Sequence, residues 1–210
     1  GNLKTEFISS DSIEEIVEER SIYLLFSKFS ILNHLTPKNG YYVSIIPSIH
    51  GTVLGGNFHY LKLDSEFKYF FTLFDKLVFA NRVKLGWISE FPNYMEDGVE
   101  IPPFDKFHLG GQTSLRGWTS PDDFEPESFL GGSQRFLFNS EIRFPLYSRL
   151  GMEFFYDIAS FGKDSDFIEY NWDAGYGLTI NTGLGPARID AAYKQAAGKP
   201  TILFSLLHMF

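Results

Sequence analysis

Two absences and one scarcity limit the kinds of protein that this 210-residue chain can be. It contains no cysteine, which excludes a disulfide framework and any metal site built on thiolates. No run of 18 or more apolar residues occurs, so the sequence predicts no transmembrane helix. Basic residues are the minority, 18 Lys and Arg against 26 Asp and Glu, and the formal net charge is −8. This acidic balance argues against nucleic acid as a partner.

Aromatic residues are abundant, with 23 Phe and 11 Tyr, and many of them recur at every second position. Alternation of apolar and polar residues indicates β-strands with one apolar face. Clear alternation is found over residues 40–50, 60–71, 76–88, 135–144, 150–158, 172–181, 187–194 and 202–210. The pattern is weaker over 21–30, and 2–9 is a further candidate, which makes nine or ten predicted strands. The acidic segment 11–19 is compatible with a loop or a short helix.

The strand lengths and the linkers favour a membrane barrel over a soluble sandwich. Many predicted strands have about ten residues, and a membrane-spanning β-strand needs roughly 9–11. Short linkers alternate with long ones, as in outer-membrane barrels. A soluble antiparallel sandwich also alternates, but it usually has strands with mixed faces and turns every 8–12 residues or so. We therefore predict an all-β, antiparallel transmembrane β-barrel whose aromatic faces contact the lipid bilayer.

The sequence offers no catalytic or cofactor site. The histidines His34, His50, His59, His108 and His208 are scattered without the spacing of metal ligands. No Ser/His/Asp set and no nucleophile elbow is recognisable. The acidic run Asp122, Asp123, Glu125 and Glu127 is interpreted as a solvated loop, with cation binding as the minor alternative. The expectation is a protein that is not an enzyme and carries neither metal nor cofactor.

An ordered set of motifs resembles a known family. The set comprises LTPKNGYY at 35–42, FHLGGQTSLRGW at 107–118, GGSQRFLFNSEIRFPL at 131–146, GMEFFYDIASF at 151–161, WDAGYGLTINTGLGPARIDAAY at 172–193 and a terminal aromatic, Phe210. The chain is similar, from about Ser21 to Phe210, to the C-terminal barrel of the bacterial surface antigen superfamily. That superfamily includes BamA-like assembly factors, TamA-like translocation factors and two-partner-secretion transporters.

The resemblance carries implications for architecture and function. It implies a sixteen-stranded barrel of which residues 1–210 form the C-terminal part, with periplasmic POTRA repeats upstream. It implies the bacterial outer membrane, β-rich or unfolded client polypeptides, and periplasmic accessory proteins reached through the upstream domains. The closing strand, with Phe204, Leu206 and Phe210, would carry the C-terminal strand signal. Two alternatives remain open: a two-partner-secretion pore, and the membrane anchor of a patatin-like phospholipase.

The resemblance also assigns a role to one arginine. In the family, the long loop, here about 91–132, folds into the barrel and its tip, Leu115, Arg116, Gly117 and Trp118, docks on the inner wall. The partners of Arg116 would be Asp157 and Glu141, which the alternation places on the polar, inward faces of successive strands. Gly110 and Gly111 permit a tightly turned backbone, and the planar guanidinium suits bidentate binding of a carboxylate. The family has glycine two residues after the aspartate, whereas this chain has Ala159.

Overall fold

The protein is described by a computed structural model. The residues described are 2–10, 13–91, 94, 100–119, 131–163, 166–167, 170–183, 185–195, 198–206 and 209–210. The acidic run at 122–127 and His208 lie outside them.

The described residues form an all-β structure with two three-residue 3-10 turns, Thr52–Leu54 and Pro103–Asp105. They include no helix that is long and apolar enough to span a bilayer. The strands are β1 (Asn2–Ser10), β2 (Ile13–Tyr23), β3 (Phe26–Phe29), β4 (Gly40–His50), β5 (Tyr60–Leu73), β6 (Leu77–Glu90), β7 (Gln134–Tyr147), β8 (Leu150–Lys163), β9 (Asp166–Phe167), β10 (Asn171–Thr182), β11 (Gly185–Lys194) and β12 (Thr201–Leu206).

Ten of these strands form one continuous antiparallel path, β1-β2-β4-β5-β6-β7-β8-β10-β11-β12. The short strands β3 and β9 pair only with β4 and β8. The path is open, because no described pairing joins β1 to β12. The all-β antiparallel fold predicted from the alternation is therefore confirmed.

The sheet is strongly curved. The ring of Phe210, just beyond β12, lies 6.3 Å from the ring of Phe70 on β5. In a flat sheet with strands roughly 4.8 Å apart, β5 and β12 would be separated by about 29 Å. The four residues after β12 reach at most about 14 Å when fully extended. The inner face of the sheet therefore curls around an enclosed space.

The two faces of the strands differ as the alternation predicts. On β8, Phe154 and Tyr156 are exposed on the outer face, whereas Glu153 and Asp157 are buried on the inner face. Strands β7 and β10 repeat this pattern, with an apolar outer face and polar residues inside. A polar interior with an apolar exterior is the reverse of a soluble sandwich and fits a barrel in lipid.

Short connections lie at one end of the strands and long ones at the other. The β5–β6 hairpin has a three-residue connection in which Phe74 and Asp75 both have positive φ (51° and 58°), as the central residues of a type I′ turn do. Ser148, between β7 and β8, also has positive φ. At the opposite end lie the β4–β5 connection and the loop from Phe91 that carries Arg116.

The N-terminal third departs from the sequence prediction. Most of the acidic segment 11–19 is strand, because β2 begins at Ile13 and pairs with β1 over nearly its whole length. The predicted strand 21–30 is divided between the end of β2 and β3, which contact different parts of β4. Leu24 and Leu25 interrupt the ladder, although the Leu24 N–H still donates to Pro47 O.

Candidate functional site

The tip of the long loop, residues 110–118, is a compact turn that holds its own shape. Gly110 and Gly111 adopt positive φ values of 97° and 86°, a conformation that side chains with a Cβ disfavour. The Gly111 N–H donates to Trp118 O at 2.6 Å, and the Trp118 N–H donates to Leu115 O at 3.2 Å. The turn therefore presents Leu115, Arg116 and Gly117 as one rigid unit.

The Arg116 side chain is completely buried against the inner wall, meaning the inner faces of β7, β8 and β10. Its Nε donates to Asp157 Oδ2 at 2.7 Å and its Nη2 to Asp157 Oδ1 at 2.9 Å, a bidentate pair. Its Nη1 donates to Glu141 Oε1 at 2.7 Å. The guanidinium also lies 3.5 Å from the centre of the Phe155 ring. All three nitrogens of the planar fork therefore donate to a carboxylate.

The electrostatics keep Arg116 charged. Burial alone would lower the pKa of Arg116, but the carboxylates of Asp157 and Glu141 outweigh it and raise the pKa above its ordinary value. Glu153 Oε1 adds a third carboxylate at 3.7 Å from Nη1. An uncompensated charge in such an enclosed place would be costly. Burial of Arg116 is therefore stable only together with burial of Asp157 and Glu141, and the reverse also holds.

Gly117 links the loop tip to two further strands. Its N–H donates to Asp173 Oδ2 on β10 at 2.8 Å, and its carbonyl accepts a hydrogen bond from Thr201 Oγ1 on β12 at 2.9 Å. A Cβ at this position would lie 2.9 Å from the Cβ of Asp173 and 3.1 Å from that of Lys194. Only glycine fits without displacing the wall.

Apolar contacts surround the ionic pair. Leu109, Leu115 and Trp118 pack into one buried cluster with residues of β7 and β8, namely Leu137, Ala159 and Phe161. Ala159 is completely buried there. The methyl group that replaces the family's glycine therefore packs beneath the docked tip and does not prevent the contact.

Sequence reasoning missed several residues that hold the tip. Arg82 Nη2 donates to Thr113 O at 2.6 Å, and Asn139 Nδ2 donates to Ser114 O at 2.8 Å. Arg82 and Asn139 are also register partners across β6 and β7. The signal available in the sequence was their place on the polar faces, but that pattern does not show which polar residues meet the loop.

A second layer of ion pairs extends the network along the inner wall. Arg188 Nε lies 3.2 Å from Glu153 Oε1, and Arg188 Nη2 lies 2.5 Å from Asp190 Oδ2. Arg143 Nη2 lies 2.5 Å from Glu141 Oε2. The same glutamate thus binds both Arg116 and Arg143, which couples the loop tip to charges deeper along the strands.

Comparison with known proteins identifies the fold family. The Omp85 superfamily domain matches residues 26–206. The chain belongs to the Omp85 superfamily. It is 25% identical over 177 residues to the outer membrane protein assembly factor BamA of Nitratidesulfovibrio vulgaris, covering 78% of this chain and 21% of that protein. The chain thus spans about a fifth of this relative's length.

A solved structure gives the same fold. BamA from Haemophilus ducreyi lacking POTRA domains 1–3 superposes with a TM-score of 0.73 at 16% identity, over 95% of this chain and 44% of that one. The family inferred from the LRGW and ExRFP motifs is confirmed, and the chain is an outer-membrane protein.

In this Omp85 domain, the C-terminal strand differs from the sequence prediction at its end. Phe204 and Leu206 are exposed on the outer face, in alternation. The predicted alternation does not extend to Phe210, because β12 ends at Leu206 and Phe210 turns to the inner side. Its ring lies 4.9 Å from the guanidinium of Arg82 and 5.5 Å from that of Arg143. These buried cations attract the electron-rich face of the ring.

Proposed function

We propose that this Omp85 domain is the barrel part of a non-enzymatic factor that inserts β-rich polypeptides into the outer membrane. The client would pair with the edge of β12, at a lateral seam of the barrel. In the described pairings β12 contacts β11 through one edge, and the N–H and C=O groups of a strand edge are those on which strand addition depends. The assembly role in the printed name of the BamA relative supports this proposal.

The observation that carries the proposal is the connection between the loop tip and β12. Gln112 Nε2 donates to the backbone carbonyl of Phe204 at 2.9 Å, and Thr201 binds Gly117. Arg116 fixes the same turn to β7 and β8. A docked tip therefore determines where the edge of β12 lies relative to the wall, and we propose that this positioning is the purpose of the motif.

The test is an insertion assay on the gene product that carries this chain, reconstituted in lipid vesicles. An unfolded outer-membrane β-barrel protein is added, and its acquisition of protease resistance is followed. The wild type should accelerate insertion, and Arg116→Ala should remove at least nine-tenths of that acceleration. Arg149→Ala, which removes an exposed arginine at a short turn, serves as the matched control and should behave as the wild type.

Other outcomes would favour the alternatives. Passage of a polypeptide into the vesicle lumen without insertion would indicate a secretion pore. A wild-type protein that neither inserts nor passes polypeptides would favour a membrane anchor and contradict the proposed assembly role.

A further inference from the structure

A polar cavity lies at the end of the strands where the short turns are found. It has a volume of about 250 Å³, and it is lined by the connection before β4, the β5–β6 hairpin, the β7–β8 hairpin and the end of β10. A water molecule needs roughly 10–15 Å³ of such space. The cavity therefore has room for a ligand with several heavy atoms.

One side of the cavity belongs to the connection before β4, which side-chain hydrogen bonds fix in place. Thr72 Oγ1 donates to Lys38 O at 3.0 Å, and the Thr72 N–H donates to Asn39 Oδ1 at 2.9 Å. Within the connection itself, the Thr36 N–H donates to Asn33 Oδ1 at 3.2 Å. Because these bonds tie the connection to the neighbouring hairpin, the shape of the cavity is set by the fold.

Arg143 lines the cavity and keeps one nitrogen without an acceptor. Its side chain is buried, and its Nε and Nη2 bind Glu141 Oε2 at 2.7 and 2.5 Å. Its Nη1 is also buried, but it forms no hydrogen bond with any residue that the structure describes. Buried polar atoms in native proteins are normally satisfied. The Nη1 of Arg143 therefore indicates an acceptor that binds in the cavity.

Glu153, the register partner of Arg143 on β8, lines the same cavity and lacks the opposite kind of partner. Its side chain is buried. Arg188 Nε lies 3.2 Å from Glu153 Oε1, but within the described part of the chain neither oxygen of Glu153 accepts a hydrogen bond. Leaving a buried acceptor without a donor is costly. A ligand group that donates to Glu153 would remove this cost.

The buried part of the wall around Glu153 has more negative than positive charge. Arginines and carboxylates form one connected group there: Arg116, Arg143 and Arg188 with Glu141, Glu153, Asp157 and Asp190. Three cations thus face four anions, and Arg188 is bound most closely to Asp190, at 2.5 Å. The donor that Glu153 lacks is therefore best supplied by a cationic group.

The mouth of the cavity has the opposite sign. Lys38 and Lys76 line it and are exposed, and neither forms an ion pair with a carboxylate that the structure describes. Asp75 is the carboxylate beside them. Two ammonium groups against one carboxylate make the mouth positive, although the whole chain has a net charge of −8. The mouth therefore suits an anionic group.

We propose that the cavity binds a phosphoethanolamine group, with the phosphate held by Lys38, Lys76 and Arg143 and the ammonium held by Glu153. The oxygens of one phosphate accept from the two lysines and from Arg143 Nη1 together, and such charge-assisted hydrogen bonds are strong. A primary ammonium has three N–H donors for the Glu153 oxygens. A simple anion would leave Glu153 without a donor, and a simple cation would leave Arg143 without an acceptor.

Two sources supply this group, a membrane phospholipid and a soluble glycerophosphodiester. The position of the cavity suits the lipid headgroup layer. Phe74 and Tyr147 stand on the two hairpins that line it and are 85% and 81% exposed. In outer-membrane barrels, aromatic residues at the strand ends mark the boundary between hydrocarbon and water. Both sources present the same phosphate and ammonium, and the experiment separates them.

The experiment measures ligand binding to the gene product that carries this chain, folded in micelles of a non-ionic detergent. Calorimetric titration with glycerophosphoethanolamine should give one ligand per chain. Glycerophosphocholine, whose ammonium has no N–H, should bind at least tenfold more weakly. Glycerol phosphate, which has no ammonium, should also bind at least tenfold more weakly. Absence of saturable binding of glycerophosphoethanolamine would overturn the proposal, and so would equal binding of all three compounds.

Substitutions at the mouth and in the buried part test the two halves of the site. The double variant Lys38→Ala, Lys76→Ala should weaken binding at least tenfold. Arg149→Ala removes an exposed arginine at the same end of the strands but outside the cavity, and it should bind as the wild type. Glu153→Gln keeps the size of the side chain and should abolish the preference for glycerophosphoethanolamine over glycerophosphocholine.

The lysine variants keep the proposal falsifiable if Glu153→Gln does not fold, because both lysines are exposed. Equal binding by the wild type and the double lysine variant would overturn the site. The source follows from mass spectrometry of protein purified from micelles that contain phosphatidylethanolamine, phosphatidylglycerol and phosphatidylcholine. One retained phosphatidylethanolamine per chain identifies the membrane lipid, and its absence identifies the soluble compound. None of these results bears on insertion activity, so the assembly proposal is tested separately.

Discussion

The long loop contacts the wall at its tip and at its root, and the two contacts differ in their chemistry. At the tip, Arg116 enters a group of carboxylates and binds Asp157 through both oxygens. At the root, residues 103–107, the Phe107 ring packs with Tyr60 and Ile88, and the Lys62 ammonium donates to the backbone carbonyl of Asp105. The tip is thus held mainly by buried ion pairs, whereas the root is held mainly by apolar packing and contacts to the backbone.

This difference has a physical consequence. Carboxylates shielded from water are stable only beside a positive charge. An arginine built into the loop supplies that charge permanently, so the tip docks whatever the solution contains. Apolar packing, as at the root, has no such requirement, because each buried apolar side chain contributes by itself. Each of the following predictions breaks or sharpens this contrast.

The largest effect is expected from Arg116→Ala. The substitution leaves Asp157 and Glu141 buried without their cation, and breaking a buried pair by removing one partner costs about 3–5 kcal/mol. We expect the free energy of unfolding in micelles, from urea titration, to fall by this amount. Arg116→Lys should recover only part of it, because an ammonium cannot reproduce the bidentate geometry. Equal stability of Arg116→Ala and Arg149→Ala would contradict the built-in anchor.

Gly117→Ala tests how closely the tip fits the wall. The added methyl group would meet the Cβ atoms of Asp173 and Lys194 at 2.9 and 3.1 Å, and overpacking of this kind costs about 1–3 kcal/mol. Gly183→Ala is the matched control, because a Cβ there meets no atom within 4 Å. Stability measured as above should fall for Gly117→Ala and remain close to wild type for Gly183→Ala. The reverse order would mean that the tip is loosely held.

The smallest effect is expected from Gln112→Ala. One neutral hydrogen bond to Phe204 O is worth about 0.5–1.5 kcal/mol, so global stability should change little. Hydrogen exchange of the backbone amides of β12 should nevertheless become faster, because this side chain joins the loop to that strand. Exchange of β7 amides provides the internal reference. Unchanged exchange in β12 would show that the loop tip does not stabilise this strand, and would contradict the proposed link between the tip and the client edge.

The alternation predicts more of the fold than of the site. A strand of period two has only two faces, so the apolar exterior and the inward direction of Glu141 and Asp157 follow from spacing alone. The motif order adds the family and names the docking tip. Neither distinguishes Asp173, which binds the Gly117 N–H, from the other inward carboxylates, because that choice depends on how the loop lies across the sheet.

What the sequence determined is local: the strands, their faces and the turn-forming glycines, because each depends on neighbouring residues. The tertiary structure decided whatever depends on register and curvature. It divided the segment 21–30 between two strands, turned Phe210 inward against Arg82, and joined Gln112 to a carbonyl 92 positions away. It also brought Lys38 to the cavity that Arg143 lines, which depends on how the connection before β4 lies across the sheet. Such contacts between distant residues leave no periodic signal, since only the folded sheet fixes which polar side chains share one enclosed space.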